Sequence, residues 1–122
     1  MAENATKVGL IVRSAPFQGR SGRDQLDLAL AAGSLGFELE LFFIGDGVLQ
    51  LLGGRACDAA GLPGGIRGWQ SLPELTPVTA WVSRAEYSAL AGPDTEWMLE
   101  VQPAGLSEMS RRALDCAPLM VV

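Results

Sequence analysis

Residues 38–52 read ELELFFIGDGVLQLL, an apolar strand that passes through a Gly-Asp-Gly turn straight into a second apolar segment. The run Phe42, Phe43, Ile44 has the unbroken hydrophobicity of a strand covered on both faces, which is the habit of parallel sheets in α/β domains. After Asp46-Gly47 the pattern predicts a short helix to about Leu52, stopped by Gly53-Gly54. Val48, Leu49, Leu51 and Leu52 leave that helix almost no polar face, so a second surface is expected to cover them. A subunit interface is the natural candidate, with Phe43, Val48, Leu49, Leu51 and Leu52 as its residues.

Working outward, residues 7–12, KVGLIV, read as the first strand, and the loop 13–22 follows with Pro, Gly and Ser punctuation. Ser21 is placed to cap a first helix, with Asp24 three residues on; Leu26, Ala29, Leu30 and Gly33 fall on one face of it, and it should end near residues 33–36. Beyond residue 52 the segment 53–68, GGRACDAAGLPGGIRG, is glycine-rich and short of large apolar residues, which predicts a long surface excursion. Residues 69–75 can form a helical turn, 78–82 a third strand, 83–90 a helix ended by Gly92-Pro93, 97–101 a fourth strand, 107–114 a short amphipathic helix and 118–122 a fifth strand. Strands alternating with helices at this rhythm imply an α/β fold, one three-layer domain over residues 1–122 with a five-stranded parallel sheet; residues 1–6 are expected to be a flexible lead-in.

Composition narrows the chemistry. At 122 residues the chain is one domain, long enough to bury a core. No apolar run reaches the length of a membrane span and no signal-peptide h-region precedes the first strand, so a cytoplasmic location is expected. Nine basic against fourteen acidic residues give 9 − 14 = −5, with no basic stripe to hold a phosphate backbone, so direct nucleic-acid binding is not expected. Histidine is absent, which excludes Ser-His-Asp and Cys-His hydrolases. With only Cys57 and Cys116, far apart, no zinc-ligand spacing exists, and no metal or cofactor is expected.

Four features could still carry chemistry. The loop RSAPFQGRSGRD (residues 13–24) sits where α/β folds bind ligands, but its glycines do not match GxGxxG and it has no Lys-Ser/Thr pair; Arg13, Arg20 and Arg23 concentrate positive charge there. Ser83 follows the third strand at the carboxyl edge of the sheet, within AWVSRAEY. Ser83 and Glu86 form the S-x-x-E pattern of a capping box, which alone would explain the serine; the same edge is where such a fold would display a nucleophile, but a serine with no base in reach is inert. Cys57 has Arg55 nearby to favour a thiolate and Asp58 to oppose it, while Cys116, between Asp115 and Ala117, reads as core or loop packing.

Taken together, KVGLIVRSAPFQGRSGRDQLDLALAAGSLGFELELFFIGDGVLQLL closely resembles the DsrE/DsrF/DsrH sulfur-relay proteins, in particular the TusC/DsrF branch. The resemblance rests on the Ala15-Pro16 loop, on Gly22-Arg23 before Leu26-Asp27, and on FFIGDGVLQLL, where the branch typically reads FF-I-x-DGV-x-QLL. It continues more weakly through AWVSRAEY, the Pro103 segment and the last strand. It implies a small α/β domain and a heterohexamer, two copies each of three homologous subunits, that passes persulfide sulfur between carrier proteins. In Tus systems the sulfur ends as the 2-thio group of a tRNA wobble uridine; the related Dsr complex acts in sulfur oxidation. The relay cysteine belongs to the DsrE/TusD-type subunit, after its third strand, and Ser83 stands at that position here. A serine cannot carry a persulfide, so the resemblance implies a subunit without a catalytic residue of its own, partnered by DsrE/TusD-like and DsrH/TusB-like chains and, through the complex, by sulfur-carrier proteins. The alternatives are a sulfurtransferase in its own right, with Cys57 or Cys116 as carrier, or a DsrF-type subunit acting in sulfur oxidation.

Overall fold

The computed structural model describes residues 7–13, 21–51, 69–92, 95, 97, 99–116 and 119–121. The expectations for residues 1–6, for Leu52 and for the excursion 53–68 with Cys57 lie outside the described residues.

Five strands form one parallel sheet, β1 (Lys7–Val12), β2 (Glu38–Phe43), β3 (Val78–Ser83), β4 (Val101–Ala104) and β5 (Leu119–Val121), in the order β4-β3-β2-β1-β5. The α-helices are α1 (Ser21–Ser34), α2 (Leu72–Leu75), α3 (Arg84–Leu90) and α4 (Leu106–Leu114). The chain steps from β1 to β4 in one direction, then α4 carries it back across the sheet so that β5 pairs with β1. Because crossovers keep one hand, this reversal places α4 on the opposite face from α1, and the three-layer architecture follows.

One face buries Val8, Leu10, Val12, Leu39, Leu41, Phe43, Ala80 and Val82 against Leu26 and Ala29 of α1 and Leu72 of α2. The other buries Phe42, Trp81 and Ala104 against Met109, Ala113 and Cys116. β2 is therefore covered on both sides, as its unbroken apolar run requires.

The segment after β2 is a 3₁₀ helix, Gly45–Leu51, in place of the expected α-helix, and its apolar residues point inward. Phe43, Val48 and Leu51 are fully buried in the chain's own core, which corrects the expectation that a second surface must cover them. The 3₁₀ helix lies close against β1: a Cβ on Gly47 would sit 2.1 Å from the Val12 carbonyl oxygen. Trp69 closes the same region, its ring 5.2 Å from Phe43 in an edge-to-face arrangement and its indole N–H donating to Gln50 Oε1 at 3.2 Å. This packing, with Gln50 itself buried, is what a glycine at position 47 makes possible.

The fourth strand is displaced from its expected place. Residues 97–101 were expected to pair, but the ladder with β3 begins at Val101 and runs to Ala104. Trp97 instead stacks on Tyr87 of α3, rings 5.4 Å apart, and Leu99 is buried as a core plug. Pro103, which has no amide to donate, is tolerated because β4 is an edge strand.

Candidate functional site

Two places on this frame bear the side chains whose chemistry the sequence raised. The first is the carboxyl end of β3. Ser83 is its last residue and the N-cap of α3, with extended backbone (φ −65°, ψ 136°), so the strand runs into the helix without a loop. Its hydroxyl makes no capping bond to a helix amide; it donates to Glu86 Oε1. The same Oε1 accepts the Gly45 N–H at 3.2 Å, from the turn that follows β2. The capping box expected from S-x-x-E is thus replaced by a carboxylate clasp, because Glu86 is drawn toward the Gly45 amide and the serine hydroxyl follows it. The absence of a base expected at Ser83 also needs correction, since a carboxylate touches its hydroxyl. A carboxylate alone is too weak a base to activate an alcohol, so the pair is no nucleophile system.

Leu49, half-buried, lines a shallow hollow beside this clasp with Gly45, Asp46, Ala85, Glu86 and Ala89. Among the described interface candidates it is the one left partly exposed.

The second place lies under α4. Glu40, which the sequence reading passed over, is 4% exposed in the middle of β2. Its carboxylate accepts the Trp81 indole N–H at 2.8 Å and lies 3.8 Å from the ammonium of half-exposed Lys7. Cys116, a free thiol, is buried 3.8 Å from Glu40 Oε1. The thiol fits because β1 carries Gly9 beneath it, where a Cβ would come within 2.7 Å of Cys116. Arg112 of α4 closes the cluster, its guanidinium 5.1 Å over the Trp81 ring. An acid flanked by leucines, inside a strand that opens on Glu38 and runs into Phe42-Phe43, was the available signal for Glu40, since a buried carboxylate requires donors.

Burial first, and the Glu40 charge second, push the Cys116 thiol above its ordinary value of 9.0. The thiolate is the disfavoured form, which is the opposite of what a sulfur nucleophile needs. A raised folded-state pKa adds stability that is fully present below the unfolded thiol's value and is lost as pH rises past it toward the folded value. Denaturant titrations above pH 9.0 should therefore show the native chain losing stability more steeply than Cys116→Ala. Parallel pH profiles would contradict the assignment.

Beside α4 runs an apolar groove of about 300 Å³ lined by Ile11, Phe42, Ile44, Leu106, Met109 and Leu114 among others. Leu106 and Leu114 are 69% and 81% exposed. Among the described residues, large apolar side chains open to solvent are found here and at Leu35, Phe37 and Leu75 near the α1–β2 turn and α2, and not at Val48 or Leu51.

This fold has known counterparts. The chain belongs to the DsrE/DsrF-like family, whose family model matches residues 6–122, and within it to the TusC/DsrF type. It is 29% identical to the protein TusC of Escherichia coli O127:H6 over 111 residues, covering 90% of this chain and 93% of that one. It is 30% identical to the protein TusC of Shigella flexneri serotype 5b over 106 residues, 86% and 89% of the two chains. A TusC homologue of Aliivibrio fischeri is 48% identical over 46 residues, 38% of this chain and 39% of that one. Among solved structures, the ychN protein from E. coli superposes with a TM-score of 0.70 at 20% identity, over 96% of this chain and 99% of that one, which shows the shared fold. No helix among the described residues is long and apolar enough to cross a membrane.

Proposed function

We propose that this chain is a non-catalytic subunit of a sulfur-relay complex of the TusBCD/DsrEFH type, supporting persulfide transfer toward 2-thiouridine formation at tRNA wobble positions. The observation that carries this reading is the pairing of a serine with a carboxylate at the carboxyl end of β3, the position that the resemblance assigns to the relay cysteine of sulfur-carrying subunits: Ser83, clasped by Glu86, offers neither a thiol nor an activated oxygen. Cys116 supports it further, since a thiol buried against a carboxylate is held protonated. The partners on this reading are homologous DsrE/TusD-like and DsrH/TusB-like subunits in a heterohexamer that acts in the cytoplasm, with sulfur-carrier proteins docking on the assembled complex.

Assembly is supported by the exposed leucines of α4 and by Leu49. Each fully buried leucine contributes about 1.5–3 kcal/mol, part of which offsets the cost of association. Leu114→Asp should therefore weaken the complex while leaving the circular dichroism of the chain unchanged, and Leu49→Asp should do so at the hollow beside Glu86. Co-expression with the two homologous subunits, followed by light scattering of the purified material, tests both. An undiminished hexamer in both variants would remove these residues from the interface.

A further inference from the structure

We propose that Glu86 is the residue that closes the carboxyl end of β3 to sulfur chemistry, so that the missing thiol is only half of what keeps position 83 inert. Three observations converge on it. The Ser83 hydroxyl, the group that stands where a nucleophile would emerge, points at the Glu86 carboxylate and donates to it. That carboxylate is not a swinging surface group, because its Oε1 also accepts the Gly45 N–H from the neighbouring turn and its side chain is half-buried. The N-cap geometry of Ser83 fixes where any side chain at this position starts, so a thiol there would inherit the same neighbour.

The consequence is electrostatic. A thiol at position 83 could donate a hydrogen bond to Glu86 only while it keeps its proton, and on losing it would place a sulfur anion against a carboxylate. Like charges in contact disfavour the ionised form. The thiolate is the species that attacks a persulfide, so the carboxylate suppresses the attacking form and repels an incoming hydropersulfide anion alike. Glu86 is thus a specificity determinant acting against thiol chemistry. The biological meaning rests on reading position 83 as the relay position of sulfur-carrying relatives; the chemistry at that position stands without it.

The test introduces the thiol and then removes the charge. Ser83→Cys and Ser83→Cys/Glu86→Gln are alkylated with iodoacetamide in the whole chain at neutral pH, and each cysteine is followed separately. Trypsin makes this possible, because Arg55, Arg67, Arg84 and Arg112 place positions 57, 83 and 116 on different peptides. Glutamine keeps a carbonyl to accept the Gly45 amide. The thiol at position 83 should react about tenfold faster or more in the double variant, the effect of one pKa unit or more between like-charged neighbours. Added salt should accelerate the single variant and leave the double variant nearly unchanged. Asp46→Asn, which removes an equal charge from the exposed rim of the same hollow, should change the rate far less. Equal rates with and without Glu86, a flat salt response in the single variant, or an Asp46→Asn effect as large as that of Glu86→Gln would each overturn the proposal. Should Glu86→Gln disturb folding, the salt response of Ser83→Cys alone decides. None of these readouts depends on sulfur transfer through a complex, so their failure would leave the subunit reading to be judged by its own experiment.

Discussion

Gly47→Ala is expected to be the most damaging single substitution among the described residues. A methyl group there would lie 2.1 Å from the Val12 carbonyl oxygen, 2.6 Å from its carbon and 2.9 Å from the Arg13 Cα, all of them backbone atoms, at the point where the β1 ladder ends. No side-chain rotation relieves such a contact. Either β1 or the 3₁₀ helix must move, and with the helix go Val48, Leu51 and buried Gln50. The cost should exceed roughly 4 kcal/mol, a large share of the about 5–15 kcal/mol that holds a domain together. Thermal unfolding by circular dichroism should show the midpoint falling by more than about 10 °C, or no cooperative transition at all. A loss of only a degree or two would mean that the 3₁₀ helix does not lie on β1 as described.

Glu40→Ala should also be costly. The Trp81 indole N–H, buried under α4, would lose its acceptor, and a hydrogen bond to a charged partner contributes about 1.5–3 kcal/mol. The ion pair with Lys7 adds little, because the lysine side chain is half exposed and solvent screens it. With the small cavity left by the missing side chain, the expected loss is about 3 kcal/mol. Glu40→Gln, which still accepts from Trp81, should lose about 1 kcal/mol. Urea denaturation of the two variants side by side provides the check. Equal losses would show that the carboxylate's charge, and not the indole bond, is what matters, while a stabilised Glu40→Ala would show that the buried acid costs more than it returns.

The order of strands and helices was legible in the chain because its apolar runs are long and their punctuation is strong. KVGLIV and ELELFF pair in parallel over residues 7–12 and 38–43, as a doubly covered strand pair should. What could not be read was which neighbour covers which residue. Val48 and Leu51 look like an exposed apolar stripe in sequence, but a 3₁₀ helix turns them inward where Gly47 lets the backbone approach β1. Conversely, Leu106 and Leu114 sit at the ends of a helix whose Met109 and Ala113 are buried. Only the sheet geometry reveals that the groove beside them is open. Trp97 and Leu99 imitated a strand because a core plug and a strand share the same apolar spacing.

At the candidate site the split is similar. Ser83 at the carboxyl edge of β3 and Glu86 three residues on follow from local sequence, and both stand at the start of α3. The direction of their hydrogen bond does not follow, since it is set by Gly45, a residue 41 positions away in the chain. Glu40, Trp81 and Cys116 come together only when β2, β3 and the end of α4 are assembled. No spacing in the sequence announces that cluster.

The subunit reading is tested most directly by following labelled sulfur from a persulfide donor through a complex reconstituted with the homologous partners. This chain would carry Cys57→Ser and Cys116→Ser, and each subunit would be analysed by mass spectrometry. Relay activity at the native rate, with no persulfide on this chain in the native complex, is the predicted result. Persulfide on this chain in amounts matching turnover, lost together with activity in the double variant, would make it a carrier and contradict the account.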